Sequence, residues 1–344
     1  MIILVRDIII IFMNSKEGVF MYKVCSLFAG VGGIDLGFLS TKKCEVVYAN
    51  EFDRYAADTY ELNFDTKVDV RDIHNVRVEE IPYFDIMVGG FPCTSFSVAG
   101  YRKGFEDDKT GDLFFEMERI FKERKPRVIF LENVKNLVSH NNGETFNTII
   151  DRLNKAGYKD KICSSVLNAS LYGNIPQNRE RVYIVAFRDK RDYDNFKMPL
   201  PIKLTTSIRD IFDFENMVSD KYYYTDNKYK KEMIDMLNRE MDDDNTVYQW
   251  RRKYVRKNQS NLVPTLTANM GEGGHNVPLI KTKYGIRKLL PIECFYAQGY
   301  PSDYKLPSNM SDGRLYKQAG NSVAVPVIER IAKNIVLALI SNDE

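Results

Sequence analysis

The sequence predicts an α/β fold, a parallel sheet with helices on both faces, joined to a smaller second domain that is mostly irregular or β. Three observations carry this. Short apolar runs alternate with amphipathic segments from Met21 to about Arg188, the rhythm then stops in a more polar stretch, and it returns after Arg287. Strands that alternate with helices pair in parallel, and both faces of such a sheet have to be covered.

Taken in order, "YKVCSLF" reads as a buried strand, "AGVGG" as a tight turn and "IDLGFLS" as the start of a helix. "CEVVYANE", "FDIMVGGF", "RVIFLEN" and "RVYIVAF" are further buried strands, while "RYAADTYELNF", "DLFFEMERIFKE" and "TFNTIIDRLNKAG" carry apolar residues at helical spacing. From Asp189 to about Tyr284 the chain is rich in Tyr, Lys and Asp and shows no clear alternation. "RKLLPIECFYAQGYP" then brings a helical segment, and "AVPVIERIAKNIVLALI" a terminal helix with Pro326 in its first turn, where a missing N–H costs little. The expected division is residues 1–20 as an extension, 21–188 as the main domain, 189–305 as the second domain with its hinge, and 306–344 as a segment returning to the main domain.

A chain of 344 residues can bury a large core, and its 44% hydrophobic and 28% charged residues are those of a globular protein. A net charge of +2 excludes a protein that coats nucleic acid by charge alone, although a local basic patch suffices for a nucleic-acid enzyme. The five cysteines form no CxxC pair and the three histidines stand far from them, so neither a zinc site nor a disulfide framework is expected. No metal is expected, and free thiols fit a reducing cytoplasm. The apolar start is broken by Arg6 and Asp7, which makes it too short to span a membrane, and it lacks a small-residue cleavage site. Met21, or alternatively Met13, is the expected natural start.

Several residues stand where chemistry is done. Gly30, Gly32 and Gly33 follow the first strand directly, where glycine lets the backbone turn and approach a ligand beside a helix N-terminus. Glu51 closes the second strand, a place for an acid that holds ribose hydroxyls or simply for a solvated carboxylate. Cys93 follows "GGFP" and roots a long polar loop. An isolated cysteine reads by default as a small buried hydrophobe, but its position beyond the C-terminal end of a strand is where open α/β sheets bind ligands. Glu132 in "FLENVKNL" ends another strand and, taken alone, reads as a helix cap, a ribose ligand or a general acid. Arg179 and Arg181 in "QNRERV" lie two apart and share one face if extended, where a solvent-facing basic pair is the default.

Together these pieces closely resemble the cytosine-C5 DNA methyltransferases of bacterial and phage restriction–modification type. The resemblance runs from Tyr22 to Ile340 and rests on FAGVGG, Asn50–Glu51, GFPCTSFSVAG, LENV, QNRERV, RKLLPIECFYAQGYP and Gly320–Val323, in that order. It implies an S-adenosylmethionine-dependent, Rossmann-like catalytic sheet and a target-recognition domain. It also implies Cys93 as the nucleophile that adds to carbon 6 of cytosine, Glu132 as the acid that meets N3, Arg181 at the base carbonyl and Arg179 in support. The cofactor S-adenosylmethionine, with S-adenosylhomocysteine as product, would be held by Phe28, Gly30, Gly32, Glu51, Phe52, Asp72, Ile73, Pro92, Leu113, Asn321 and Val323.

The target base lies inside duplex DNA and has to be swung out of the stack. The loop from about Thr94 to Asp112, with Gly100, Gly104 and Gly111 as hinges, is expected to close over it, with Ser97, Arg102 and Lys103 at the backbone. Ala99 stands where some relatives carry a serine that enters the vacated space. "YQWRRKYVRKNQSN" sets Arg251, Arg252, Lys253 and Arg256 among Trp250 and Tyr254 and is expected to touch double-stranded DNA. The implied protein is a monomer without membrane attachment, the modification partner of a restriction endonuclease encoded nearby, with no stable complex between the two. Two alternatives are a tRNA cytosine-C5 methyltransferase on the same catalytic domain and a dinucleotide-dependent oxidoreductase, which would leave Cys93, Glu132 and Arg181 idle.

Overall fold

The computed structural model describes residues 20–91, 113–251, 253–258, 260–272 and 276–343. The main sheet has seven strands: β1 (Tyr22–Leu27), β2 (Cys44–Asn50), β3 (Val68–Asp69), β4 (Ile86–Gly90), β5 (Val128–Val134), β6 (Ile162–Asn168) and β8 (Glu180–Phe187). They lie in the order β3-β2-β1-β4-β5-β8-β6. Six run in one direction and only β8, antiparallel to both β5 and β6, is reversed among the seven, which departs from the all-parallel sheet read from the sequence. Strand β6 was not singled out in the sequence because it is an edge strand. Ser164 and Ser165 sit in it, most of it is only partly buried, and it shows no apolar run.

Successive strand residues point to opposite faces. Val24, Ile86, Val88, Val128 and Phe130 therefore enter one core, whereas Cys25, Leu27, Met87, Ile129 and Leu131 enter another. Both faces are buried, so these strands read as unbroken apolar runs. The first face is covered by α1 (Gly33–Leu39) and the long C-terminal helix Val325–Asp343, whose Ile328, Ile331 and Ile335 face the sheet. Helix α2 (Arg54–Glu61) flanks β3. The helices α3 (Leu113–Arg124) and α4 (Glu144–Leu153) cover the second face through Phe114, Ile120, Phe121, Ile149 and Leu153. Two short helices follow, α5 (Ala169–Tyr172) and α6 (Lys190–Asn195).

Between the two stretches of α/β rhythm stands a four-stranded antiparallel sheet. It comprises β9 (Tyr248–Trp250), β10 (Val255–Lys257), β12 (Leu279–Thr282) and β13 (Gly285–Lys288), in the order β10-β9-β12-β13. Helix α7 (Lys231–Glu240) packs on it, with Leu237 and Met241 against Tyr248, Leu279 and Ile286. A two-residue parallel pairing of β7 (Gln177–Asn178) with β11 (Val263–Pro264) ties this region to the approach of β8. Three helices complete the chain: α8 (Pro291–Tyr296), α9 (Asp312–Asn321) and α10 (Val325–Asp343).

A fully buried ion pair pins the second sheet. Arg287 of β13 donates to both carboxylate oxygens of Glu293 in α8, at 2.7 and 2.8 Å, and to the carbonyl of Asp213 at 2.6 Å. Glu293 in turn accepts from the N–H groups of Asp213 and Leu290, at 2.9 and 2.7 Å. Both charges are thus neutralised and hydrogen-bonded, the condition under which a buried pair is tolerated.

One buried carboxylate is less well served. Asp35, in the first turn of α1, is fully buried and neither oxygen has a hydrogen-bond donor. The Ser26 and Tyr60 hydroxyls lie close enough to temper its pKa, but neither is aligned to donate fully, and burial pushes that pKa from 3.8 up to about 6. Folding therefore favours the neutral acid. The stability linked to Asp35 is full below a pH of about 4 and is lost as the pH rises through about 6, a difference of about 3 kcal/mol. Asp35→Asn cannot ionise and is expected to remove this loss. Melting temperatures of the two proteins between pH 4 and 8 should diverge across that window, and parallel curves would contradict the assignment.

Candidate active site

Strands β1, β2, β4 and β5 end on one rim of the sheet, and the antiparallel β8 begins there. A cavity of about 930 Å³ opens on this rim, lined by the ends of those strands, by α2 and by the last turns of α9. The chain leaves the described region at Phe91 and returns at Leu113, and both residues stand in the cavity wall.

One half of the cavity is built around the turn after β1. Phe28 and Gly30 both have positive φ, +57° and +56°, and both line it. Glu51 holds this turn: one carboxylate oxygen accepts the Gly30 N–H and the other the Asp53 N–H, each at 2.8 Å. Burial raises the Glu51 pKa while these two donors pull it back. Each oxygen keeps a lone pair for a ligand hydroxyl. Beside it Phe52 is 71% exposed and stands in the cavity wall, where it offers an apolar ring to the cavity. Asp72 caps a short turn by accepting the His74 N–H at 3.1 Å and lies 2.5 Å from His74 Nδ1, a contact that lowers its pKa. Ile73, Leu113, Asn321 and Val323 also line the cavity.

Gly32 does not. It precedes α1 at φ +79°, and an added Cβ would stand 2.2 Å from the Phe64 ring. Sequence reasoning also passed over His74, Tyr55, Arg314 and Lys317, all in the wall. Arg314 of α9 stacks 3.3 Å over the Tyr55 ring of α2, and Gln318 bonds the Tyr55 carbonyl and the Thr59 hydroxyl, each at 2.9 Å. The adjacency of α9 and α2 is made by packing across some 260 residues, and no local signal announces it.

The other half carries the charged groups of β5 and β8. Glu132 is buried, and Arg181 Nε lies 3.2 Å from its Oε1. The N–H is not aimed along that line, so the contact is electrostatic, and Oε1 has no hydrogen-bond donor among the described residues. Burial raises the Glu132 pKa, and Arg181 and then Arg179 act against it. Glu132 caps no helix; its side chain belongs to the cavity wall. Arg179 is 2% exposed and turned to backbone: it donates to the carbonyls of Leu266 at 2.8 Å, Gly320 at 3.4 Å and Ser322. The two arginines are therefore not a solvent-facing pair. Asn133, another residue the sequence reading left without a role, donates to the Phe91 carbonyl at 2.6 Å and accepts the Val134 N–H at 2.8 Å. It ties the end of β4 to β5 at the root of the Cys93 loop.

Pro92, Cys93, Ser97, Ala99, Gly100, Arg102, Lys103, Gly104, Gly111 and Arg252 lie outside the described residues. In the second sheet, Arg251, Lys253 and Tyr254 form the exposed turn between β9 and β10, and Arg256 is exposed on β10. Among the described residues, no group of His, Cys, Asp and Glu could hold a metal ion and no helix is long and apolar enough to cross a membrane.

One rim thus joins the carboxylate that holds the turn after β1 to a buried Glu–Arg pair. The family model for C-5 cytosine-specific DNA methylase matches residues 22–337. The type II methyltransferase M.Bsp6I of Bacillus sp. (strain RFL6) is 58% identical over 320 residues, which cover 93% of this chain and 100% of that one. M.HhaI of Haemophilus parahaemolyticus, also a type II methyltransferase, is 39% identical over 326 residues, covering 90% and 92%. A DNMT2 variant of Spodoptera frugiperda shares the fold with a TM-score of 0.70 at 20% identity, covering 92% of this chain and 99% of that one. This chain belongs to the C-5 cytosine-specific DNA methylase family. That membership displaces the oxidoreductase alternative.

Glu51→Ala would leave the Gly30 and Asp53 N–H groups without acceptors, an expected cost of about 2 kcal/mol in urea unfolding. Isothermal titration with S-adenosylhomocysteine should show at least a roughly tenfold loss of affinity, since charged hydrogen bonds contribute about 1.5–3 kcal/mol. Unchanged affinity would remove Glu51 from the ligand site.

Proposed function

We propose that this protein is a sequence-specific DNA (cytosine-5-)-methyltransferase that modifies a flipped-out cytosine in double-stranded DNA, most simply as the protective partner of a restriction endonuclease. The observation that carries the reading is the continuity of one cavity, which joins Glu51 and Phe52 to Glu132 and Arg181. Phe91 stands in its wall, two residues before Cys93, a separation of about 7 Å at full extension.

The residues present fit S-adenosylmethionine. Glu51 offers free lone pairs to ribose hydroxyls, Phe52 an apolar ring to adenine, and the Phe28–Gly30 turn, Asp72, Ile73, Leu113, Asn321 and Val323 complete the wall. S-adenosylmethionine supplies an electrophilic methyl group. The protein's task is to make carbon 5 of cytosine nucleophilic. The Cys93 thiolate adds to carbon 6, which converts the ring to an enamine. Negative charge moves toward N3, where the Glu132 carboxyl, its pKa raised by burial against the pull of Arg181 and Arg179, is the group to share a proton with the base. The Arg181 guanidinium, beside Glu132 at the rim, steadies the base carbonyl. Loss of the carbon 5 proton and elimination of the thiolate end the cycle. Arg251, Lys253, Arg256 and Tyr254 present a basic and aromatic surface suited to DNA. With Arg252, and with Ser97, Arg102 and Lys103 of the loop, they make up the proposed DNA contact.

The test is base-resolution mapping of 5-methylcytosine in DNA from methylation-free cells expressing the chain. Methylation confined to one short motif is expected, absent with Cys93→Ser and reduced about 10²–10⁴-fold in rate with Glu132→Gln. Methylation of tRNA but not duplex DNA by the purified protein would overturn the DNA reading.

A further inference from the structure

We infer that Arg179 is a positioning residue that makes the cofactor wall and the segment 263–271 of the recognition region one body, so that filling the pocket fixes that segment; this rests on the proposed function. Helix α9 has two neighbours. Toward the cavity it presents Arg314, Lys317, Gln318, Gly320 and Asn321. On another side the segment 263–271 crosses it with backbone against backbone. A Cβ on Gly320, near the end of α9, would stand 2.1 Å from the carbonyl carbon of Thr267 and 2.3 Å from its oxygen. A Cβ on Gly271 would stand 2.4 Å from the carbonyl oxygen of Gly313, in the first turn. At Gly320 the three nearest atoms are all backbone, and at Gly271 the Lys317 Cβ, 3.1 Å away, joins the Gly313 backbone; close-packed surfaces transmit displacement.

Arg179 spans the same seam with hydrogen bonds. One nitrogen holds the Leu266 carbonyl on the segment, and the other holds the Gly320 and Ser322 carbonyls at the end of α9. Gln177 backs it, donating to the Ala297 carbonyl at 2.6 Å and to Gln298 Oε1 at 3.2 Å, while its own oxygen accepts the Leu266 N–H at 3.4 Å. Gln298 donates on to the Ala319 carbonyl of α9 at 2.9 Å. All three side chains are buried. A planar fork with several fixed donors can hold carbonyls of two separate segments at once; a lysine in its place is a point charge that cannot reach all three in that geometry. Ser322 and Gly320 are themselves in the cavity wall, so a ligand pressing there acts on the carbonyls that Arg179 holds.

Hydrogen–deuterium exchange of the full chain with and without S-adenosylhomocysteine tests this. In the wild type, amides around Glu51 and those of residues 263–271 should both slow, the latter by about fivefold, the lower end of ordinary coupling. In Arg179→Lys the slowing at Glu51 should persist while that at 263–271 falls below half its wild-type value. Gly271→Ala, which wedges the far end of the seam with Arg179 intact, should weaken the same protection and carries the test if the first variant does not fold. Slowing at Glu51 without slowing at 263–271 in the wild type, or full slowing of 263–271 in Arg179→Lys, overturns the inference alone. No slowing anywhere overturns the cofactor reading and this inference with it.

Discussion

Strand β8 enters the sheet from the rim where β4 and β5 leave it, and the chemistry of the site hangs on that direction. In the observed register Glu132 stands opposite Tyr183 and Val134 opposite Arg181. Glu132 and Arg181 are then diagonal neighbours on one face, a relation within reach of long side chains. A parallel β8 would carry Arg181 to the far edge of the sheet. A slip of one residue would turn it to the opposite face. Hydrogen bonding on both sides, to β5 and to β6, fixes the register twice.

The rim is also electrically unbalanced. Two guanidinium groups, Arg179 and Arg181, surround the single carboxylate of Glu132 in a site that is largely removed from water. Such an arrangement favours negative charge arriving from outside, and it does so without having to reorganise when the charge appears. Arg179 is committed to three backbone carbonyls, so its contribution is fixed field and fixed geometry. Arg181 donates, among the described residues, to the neighbouring Glu180 carbonyl at 2.8 Å, and a guanidinium carries five N–H donors.

Much of this was legible in the residues. The apolar runs mark β1, β2, β4, β5 and β8, because burial on both faces of the sheet leaves few polar positions in them, Lys23 of β1 and the exposed Glu45 of β2 among these. The helical spacing marks α1 to α4 and α10 in the same way. Apolar periodicity carries no strand direction, so the reversal of β8 was hidden, and the edge position of β6 removed its signal altogether. Among residues that line the cavity, Glu51 and Glu132 stood out in the sequence because each sits at a strand end, whereas Phe52 and Asp72 were named only through the family resemblance. The wall residues Arg314 and Lys317 and the carbonyl partners of Arg179 were not legible, since they arrive from chain more than 80 residues away.

The Arg287–Glu293 pair fixes one further property. Asp213, at the beginning of the excursion that builds the second sheet, and Arg287, at its end, meet on the same carboxylate. The excursion is therefore a closed loop in space, with its two ends already joined below the surface. Lengthening such a loop adds closure entropy only slowly, by about 0.6 kcal/mol for each doubling. The loop's buried residues are not free of the main domain, because Phe214, Val247, Val277 and Ile280 share one apolar core with Val31, Ala56 and Val325; length and sequence can change at low cost only at exposed positions such as the turn between β9 and β10. Tolerance to change in this region is thus a property of its surface and not of the region as a whole.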